Sequence, residues 1–135
     1  MIVREGKSVF KGVAIGKIFV YKKADNAVKK ETVADTAAEM ARFEAAKEKA
    51  LGQLKGLYEK ALKDVGEEEA MIFDVHQMLL DDPDYNDSIK DIIENEKMNA
   101  EYAVFMTSEQ FAAMFLSMDD DYMRGRAADI KDISE

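Results

Sequence analysis

Residues 66–85 read GEEEAMIFDVHQMLLDDPDY. Gly66 breaks whatever precedes it. Glu67, Glu68 and Glu69 then open a helix, because three carboxylates in a first turn sit on the positive end of the helix dipole. The helix reaches Leu80. Asp82 caps a further helical segment with Pro83 at its first position, where a missing N–H costs nothing. On the first segment Met71, Val75, Met78 and Leu79 form one stripe, while Ile72, Phe73, His76 and Leu80 cover most of the other side. No Lys or Arg occurs between Lys63 and Lys90. This helix therefore has two apolar sides, ringed by Glu67, Glu68, Asp74, Asp82 and Asp84. Either both sides are buried in a bundle and the acids are a solvated rim, or one side receives a basic protein. Methionine adapts its shape to a partner, and a carboxylate rim steers a cationic one.

Upstream, helical periodicity begins near Val33. Met40, Phe43, Ala46 and Ala50, Leu54, Leu57 and Ala61 recur at three- and four-residue steps, flanked by Leu51, Tyr58 and Leu62, which predicts an amphipathic helix of about eight turns. Gly52 and Gly56 weaken it by about 1 kcal/mol each relative to Ala. Downstream, Ile89, Ile92 and Ile93 continue the segment begun at Pro83. Asn99 is the next cap. AEYAVFMTSEQFAAMF (100–115) follows, with Tyr102, Phe105, Met106, Gln110 and Ala113 along one broad face. Asp119–Asp121 open a last helix with Tyr122, Met123, Ala127, Ile130 and Ile133 at helical spacing. No Gly or Pro stop precedes Glu135, so the chain is expected to end within or near a helix.

The first 23 residues differ. VFKGVAIGKIFVYKK (9–23) carries β-branched and aromatic residues, and Ile18–Tyr21 is a candidate strand with turns or a bulge at Gly12 and Gly16. One or two strands alone are marginal in water, so this piece is expected to belong to a sheet completed elsewhere. The fold predicted is mainly α: a four-helix bundle, its second helix bent at Asp81–Pro83, inserted after an N-terminal strand segment.

Composition narrows the function. The 135 residues hold no Cys, which excludes disulfides and thiolate chemistry, and no apolar run reaches the length of a bilayer span. With no signal-peptide pattern at the N-terminus, a cytoplasmic protein is expected. Net charge is −9, but residues 1–63 carry 14 Lys and Arg against 8 Asp and Glu, and residues 64–135 carry 5 against 20. The acidic half repels nucleic acid and anionic membrane and attracts a basic protein. His76 is the sole histidine. It lacks the second His of a zincin helix, the Glu three residues before it of a di-iron bundle, and a triad partner pattern, so it reads as a half-buried helix residue bonded to a neighbour. Asp82–Asn86 imitates the start of a calcium loop, but Asp87 stands where Gly is needed and Ile93 where Glu is needed. GKSVFKGVAIGK fits no phosphate-loop spacing.

Three stretches together resemble enzyme I of the bacterial phosphoenolpyruvate:sugar phosphotransferase system. They are residues 66–85, MNAEYAV (98–104) and LSMDDDYMRGRAADIKDI (116–133). Family members carry EAIFEAHxMLLxDPE and DxYLxERAxDIxDI. Residues 9–22 are similar to the family's SPGIAIGKAFVY opening, with Val9-Phe10-Lys11 where Ser-Pro is usual. The resemblance runs from about Gly6 to Ile133. It implies a β/α phosphohistidine subdomain, incomplete here and represented by residues 1–25, and a helical subdomain at 33–135 that binds the phosphocarrier HPr. It implies that the family's GGxTSHxAI phosphohistidine motif and its phosphoenolpyruvate- and magnesium-binding barrel lie outside this sequence. No catalytic residue, metal ligand or cofactor is then expected in the chain itself, which would be inactive alone. The parent enzyme would dimerise through its C-terminal domain. Carried over by position, the HPr surface comprises Glu67, Glu68, Met71, Asp74, Val75, Met78, Leu79, Asp82, Asp84 and Tyr85, extended by Phe115, Tyr122, Met123 and Arg126. Lys131 matches a further basic position, and His76 matches the His within the docking helix. Two other readings remain at this level: an unrelated acidic bundle with another basic partner, and a nitrogen-regulatory or dihydroxyacetone-kinase paralogue. A self-contained enzyme is disfavoured by the lack of a complete catalytic constellation.

Overall fold

The Asp35 carboxylate accepts the Ala38 N–H at 2.9 Å and starts α1, which runs Thr36–Asp64. This computed structural model describes residues 3, 5–7, 11–13, 15–17, 19–20 and 27–135. Val33, where periodicity placed the helix start, lies before the cap. Its N–H goes instead to the Lys97 carbonyl at 2.8 Å. At the far end the Val65 and Gly66 amides both donate to the Ala61 carbonyl, at 2.9 and 3.1 Å. Gly66 sits at φ +117°, a conformation L side chains rarely adopt, and turns the chain directly into α2, Glu67–Leu80.

The expected bend at Asp81–Pro83 is a complete break, so the bundle has five helices among the described residues instead of four. Asp82 Oδ1 accepts the Tyr85 N–H at 3.0 Å, and Pro83 occupies the first position of α3, Pro83–Glu94. The Asn86 side chain fastens the corner by donating to the Leu80 and Asp82 carbonyls at 2.9 and 2.7 Å. Those carbonyls end one helix and begin the next, so a single buried amide fixes their relative direction.

Asn99 precedes α4, Ala100–Leu116, but does not cap it with its side chain. Glu39 of α1 reaches across and accepts the Ala100 N–H at 2.6 Å. Asn99 instead clasps the segment before α1: its Oδ1 accepts the Glu31 N–H at 2.9 Å and its Nδ2 donates to the Lys29 carbonyl at 3.1 Å. A bridge between Thr32 and Met98 completes this seam. Asp120 caps α5, Asp121–Ser134, by accepting the Tyr122 and Met123 amides at 2.8 and 3.3 Å. The candidate strand Ile18–Tyr21 falls partly outside the described residues, and Phe19 and Val20 belong to no strand.

Short links pair α1 with α2 and α4 with α5; α3 lies against α1 and α4, and α2 against α5. The core is Tyr85, Ile89, Ile92 and Ile93 of α3, Ala100, Ala103, Ala112 and Phe115 of α4, Ala127 and Ile130 of α5, and Phe43 of α1. Burial of these side chains supplies most of the favourable free energy, at about 25 cal/mol per Å² of apolar surface. The broad α4 face named from spacing is only partly inward, with Tyr102 and Met106 half-buried. Phe105, Gln110 and Ala113 are exposed, while Ala103, Thr107, Ser108 and Ala112 are buried. This helix is apolar nearly all round, so close approach to its neighbours selects its small residues and turns Phe105 out.

Ion pairs tie the basic α1 to the acidic helices. Lys90 of α3 meets Glu44 at 2.7 Å, and Lys47 meets Asp81 at 3.4 Å. The Lys90 hydrogen bond holds the Glu44 carboxyl below its ordinary range, and the same bond raises the Lys90 ammonium. No helix among the described residues is long and apolar enough to cross a membrane.

Candidate functional site

The phase of α2 is set at its two ends. Gly66 leaves the first-turn amides to the dipole-complementing Glu67–Glu69, and the Asn86 corner fixes Leu80 inward. Between them Ala70 and Leu80 are buried, and Phe73, His76 and Gln77 are half-buried on the same side. The opposite side must then face solvent. Met71 is 55% exposed and Met78 69%, with Val75 half-buried between them. Ile72, assigned by pattern to the inward side, is also exposed and widens the stripe. Leu79 is half-buried and packs on the core margin, so it contributes only an edge.

The acidic rim lacks internal counter-charge. Glu67, Glu68, Asp74 and Asp84 are exposed, and none has a cationic partner within salt-bridge distance among the described residues. Asp82 is half-buried and has one oxygen committed to the α3 cap. Unpaired carboxylates around exposed methionines leave both Coulombic and apolar contact available to another molecule.

Two expected surface residues belong to the interior. Tyr85 is 1% exposed, packed edge-to-face on Phe111 with ring centroids 5.4 Å apart. Capping by Asp82 places it in the first turn of α3 pointing inward. Burial pushes its phenol up to about 12, and its hydroxyl has no hydrogen-bond partner. Phe115 is 8% exposed and part of the core. Neither lines the surface. Met123 is likewise half-buried against the core.

On α5 the arrangement is more specific. Tyr122 is 67% exposed, and the Arg126 guanidinium stacks on its ring 4.3 Å from the centroid. One Arg126 nitrogen donates to the Tyr122 hydroxyl and the other donates to Asp129 Oδ2 at 2.8 Å. The second Asp129 oxygen lies 3.3 Å from His76 Nε2 of α2. His76 is thus the half-buried, neighbour-bonded residue expected. Partial burial works against the Arg126 charge, but the bonds from Asp129 and Tyr122 outweigh it and raise the group above its ordinary range. Asp129 escaped the sequence reading. Its spacing of three residues after Arg126 was the available signal. Lys131 pairs with Glu109 of α4 at 2.9 Å, so it braces the α4–α5 pair. Among the described residues no group of three or more His, Asp or Glu side chains is disposed to hold a metal ion.

The chain has recognisable relatives. Residues 5–126 match the family described as PEP-utilising enzyme, N-terminal. The phosphoenolpyruvate-protein phosphotransferase of Geobacillus stearothermophilus is 44% identical over 130 residues, covering 96% of this chain and 22% of the relative. The protein of the same name from Listeria monocytogenes is 43% identical over 129 residues, covering 96% and 23%. The chain therefore spans less than a quarter of the length of these relatives. A solution structure of an enzyme I protein superposes with a TM-score of 0.79 at 34% identity, over 88% of this chain and 49% of that one. The N-terminal domain of a nitrogen enzyme 1 gives 0.74 at 27% identity, over 80% and 45%. Motif, length of alignment and helical architecture agree: the chain belongs to the N-terminal domain family of phosphoenolpyruvate-utilising enzymes.

Proposed function

We propose that the outer face of α2, with the adjoining edge of α5, docks the phosphocarrier HPr, and that the chain is the carrier-binding part of a phosphoenolpyruvate-protein phosphotransferase acting in sugar uptake in the cytoplasm. The observation that carries this reading is the exposed Met71–Val75–Met78 stripe inside a rim of unpaired carboxylates. Glu67, Glu68, Asp74 and Asp84 meet basic side chains of the carrier. Met71, Val75 and Met78 form the apolar centre, with Leu79, Ile72 and Tyr122 at its edges. In the parent enzyme the phosphoryl group of phosphoenolpyruvate passes to an enzyme histidine and then to a histidine of HPr. The helices do no bond chemistry. They turn a second-order encounter into an oriented one, so that donor and acceptor nitrogens meet in line. A carrier must leave again, and a face dominated by charge gives fast, salt-sensitive, short-lived binding. Residues 1–25 belong, on this reading, to the β/α phosphohistidine subdomain and residues 33–135 to the docking subdomain. Magnesium belongs, on this reading, to the parent enzyme's phosphoenolpyruvate site, and no step of this docking requires it.

The test is a titration of isotope-labelled HPr with this chain at low and high salt, followed by NMR. Shifts clustered near the carrier's phosphorylatable histidine and its basic neighbours, weakening with salt, are expected. Glu67→Lys with Glu68→Lys should weaken binding at least tenfold while the helical spectrum stays intact. A folded chain that gives no shifts would leave an acidic bundle with a different basic partner.

A further inference from the structure

The Asp129 carboxylate joins α2 to the exposed edge of α5 through polar contacts. One of its oxygens faces His76 Nε2 at 3.3 Å and the other accepts from Arg126 at 2.8 Å. Its side chain is only 15% exposed, as is appropriate for a group whose two oxygens are both engaged. Arg126 is held equally firmly. Its side chain is 16% exposed, and its second terminal nitrogen reaches the Tyr122 hydroxyl while the guanidinium plane lies on the ring. The chain of contacts therefore runs from the inward flank of α2, through Asp129, to an aromatic ring that is mostly in solvent.

Tyr122 is an anomaly without this chain. An exposed tyrosine ordinarily samples several rotamers and loses them on binding. Here its ring is stacked and its hydroxyl is bonded before any partner arrives. The position also matters. His76 is four residues from Ile72 and three from Leu79, so it lies on the flank of α2 beside the apolar stripe. Its link to Asp129 connects that flank to the Arg126–Tyr122 unit of α5.

We infer that Asp129 is a positioning residue of the docking surface, holding Arg126 and, through it, Tyr122 in the partner-competent arrangement. This rests on the docking reading of α2 and adds to it a residue that touches no partner. Preorganisation of one aromatic and one arginine side chain corresponds to about a three- to tenfold difference in affinity. Asp129 Oδ2 accepts from Arg126, and Oδ1 accepts from His76 in the tautomer that carries its proton on Nε2.

The experiment uses the full chain with Asp129→Ala, measured twice, because Asn could still accept from Arg126 and donate to the other His76 tautomer. In the free protein, NMR of the Arg126 guanidinium and the Tyr122 ring reports restricted rotation and stacking. Titration with HPr then reports affinity. Expected are faster Arg126 side-chain rotation, a Tyr122 ring shifted toward its free-peptide position, altered His76 ring-nitrogen signals, and a dissociation constant raised three- to tenfold. A residue that only stabilised the fold would lower the unfolding temperature without moving Arg126 rotation or affinity. Unchanged Arg126 and Tyr122 signals, or changed signals with affinity within twofold of wild type, would overturn the inference. If Asp129→Ala does not fold, Tyr122→Phe removes the outer bond of the same chain at an exposed site. It should free Arg126 rotation and weaken binding at least twofold, and no change in either sinks the proposal. Absence of HPr binding by the wild-type chain would remove the docking reading and with it the claim on affinity, whereas the free-protein signals would still decide whether Asp129 holds Arg126 and Tyr122.

Discussion

Replacing Tyr85 with Phe isolates one oxygen atom. The ring is fully buried and packed edge-to-face on Phe111, so Phe keeps the packing. The hydroxyl has no hydrogen-bond partner, and an unsatisfied buried polar group costs about 1–3 kcal/mol. Tyr85→Phe should therefore stabilise the protein at pH 7 by about 1 kcal/mol, roughly 4 °C in Tm for a domain of this size. The alkaline limb is more diagnostic. The phenol ordinarily titrates at 10.0 and burial raises it to about 12 in the folded chain. A group raised on folding contributes stability that is complete below its unfolded value and is lost as pH rises through the folded one. For this shift the loss is about 1.4 kcal/mol by pH 11 and approaches about 2.7 kcal/mol beyond pH 12. The variant has no phenol at this position and escapes that loss. Urea denaturation of both proteins at pH 7, 9 and 11 should show their stability difference growing by about 1.4 kcal/mol between the last two, because other titrating groups are common to both. A difference constant with pH would refute burial as the state of this phenol. Destabilisation by more than 1 kcal/mol at pH 7 would mean the hydroxyl is bonded after all. HPr affinity should stay within twofold of wild type, since the ring does not line the surface.

Three further outcomes are expected. Gly52→Ala and Gly56→Ala should each stabilise the chain by about 0.5–1 kcal/mol in thermal unfolding, because both lie inside α1 and an added Cβ meets nothing within 4 Å. Asn99→Ala should cost about 2 kcal/mol and abolish hydrogen-exchange protection of the Glu31 amide; retained protection would show that the seam does not depend on that side chain. Glu44→Gln should lower stability at pH 7 by less than about 1 kcal/mol, because the pair with Lys90 is over a third exposed and screened. The Glu44 carboxyl is lowered on folding, so its contribution is present above the ordinary value of 4.5 and disappears as pH falls through the folded one. The two proteins should converge in acid denaturation, and divergence there contradicts the sign.

The sequence was most legible where local chemistry acts alone. Gly66, the Glu67–Glu69 start, and Asp82 with Pro83 mark helix ends through caps and dipoles that need no tertiary partner, and they stand where expected. The outward stripe of α2 was legible for the same reason, since its phase follows from those ends. What failed depended on neighbours. An all-round apolar α4 offers no contrast from which to choose its inward face, and the choice went to the small residues that permit close packing. Tyr85 and Phe115 carry residue types common at interfaces and in cores alike, and only the packing separates the two. The Asn99 seam joins it to Glu31, and the His76–Asp129 link joins residues 53 apart, distances over which pattern reading has no grip. A bend at Asp81–Pro83 was expected, but the complete break rests on the Asn86 bonds to Leu80 and Asp82.

The helix with the proposed docking stripe contributes almost nothing to the cluster that folds the domain. α2 buries only Ala70 and Leu80, and the central apolar cluster is drawn from α3, α4, α5 and Phe43. On the proposed docking reading, substitutions at Glu67, Glu68, Met71, Asp74 or Met78 would act on recognition while leaving the free energy of folding nearly untouched, since exposed sites seldom move stability by more than about 0.5 kcal/mol. Lineages carrying several parallel carriers could separate their cognate pairs by point changes on this one face. Selection on partner choice and selection on foldedness would then act on different residues, and crosstalk could be tuned without passing through an unstable ancestor.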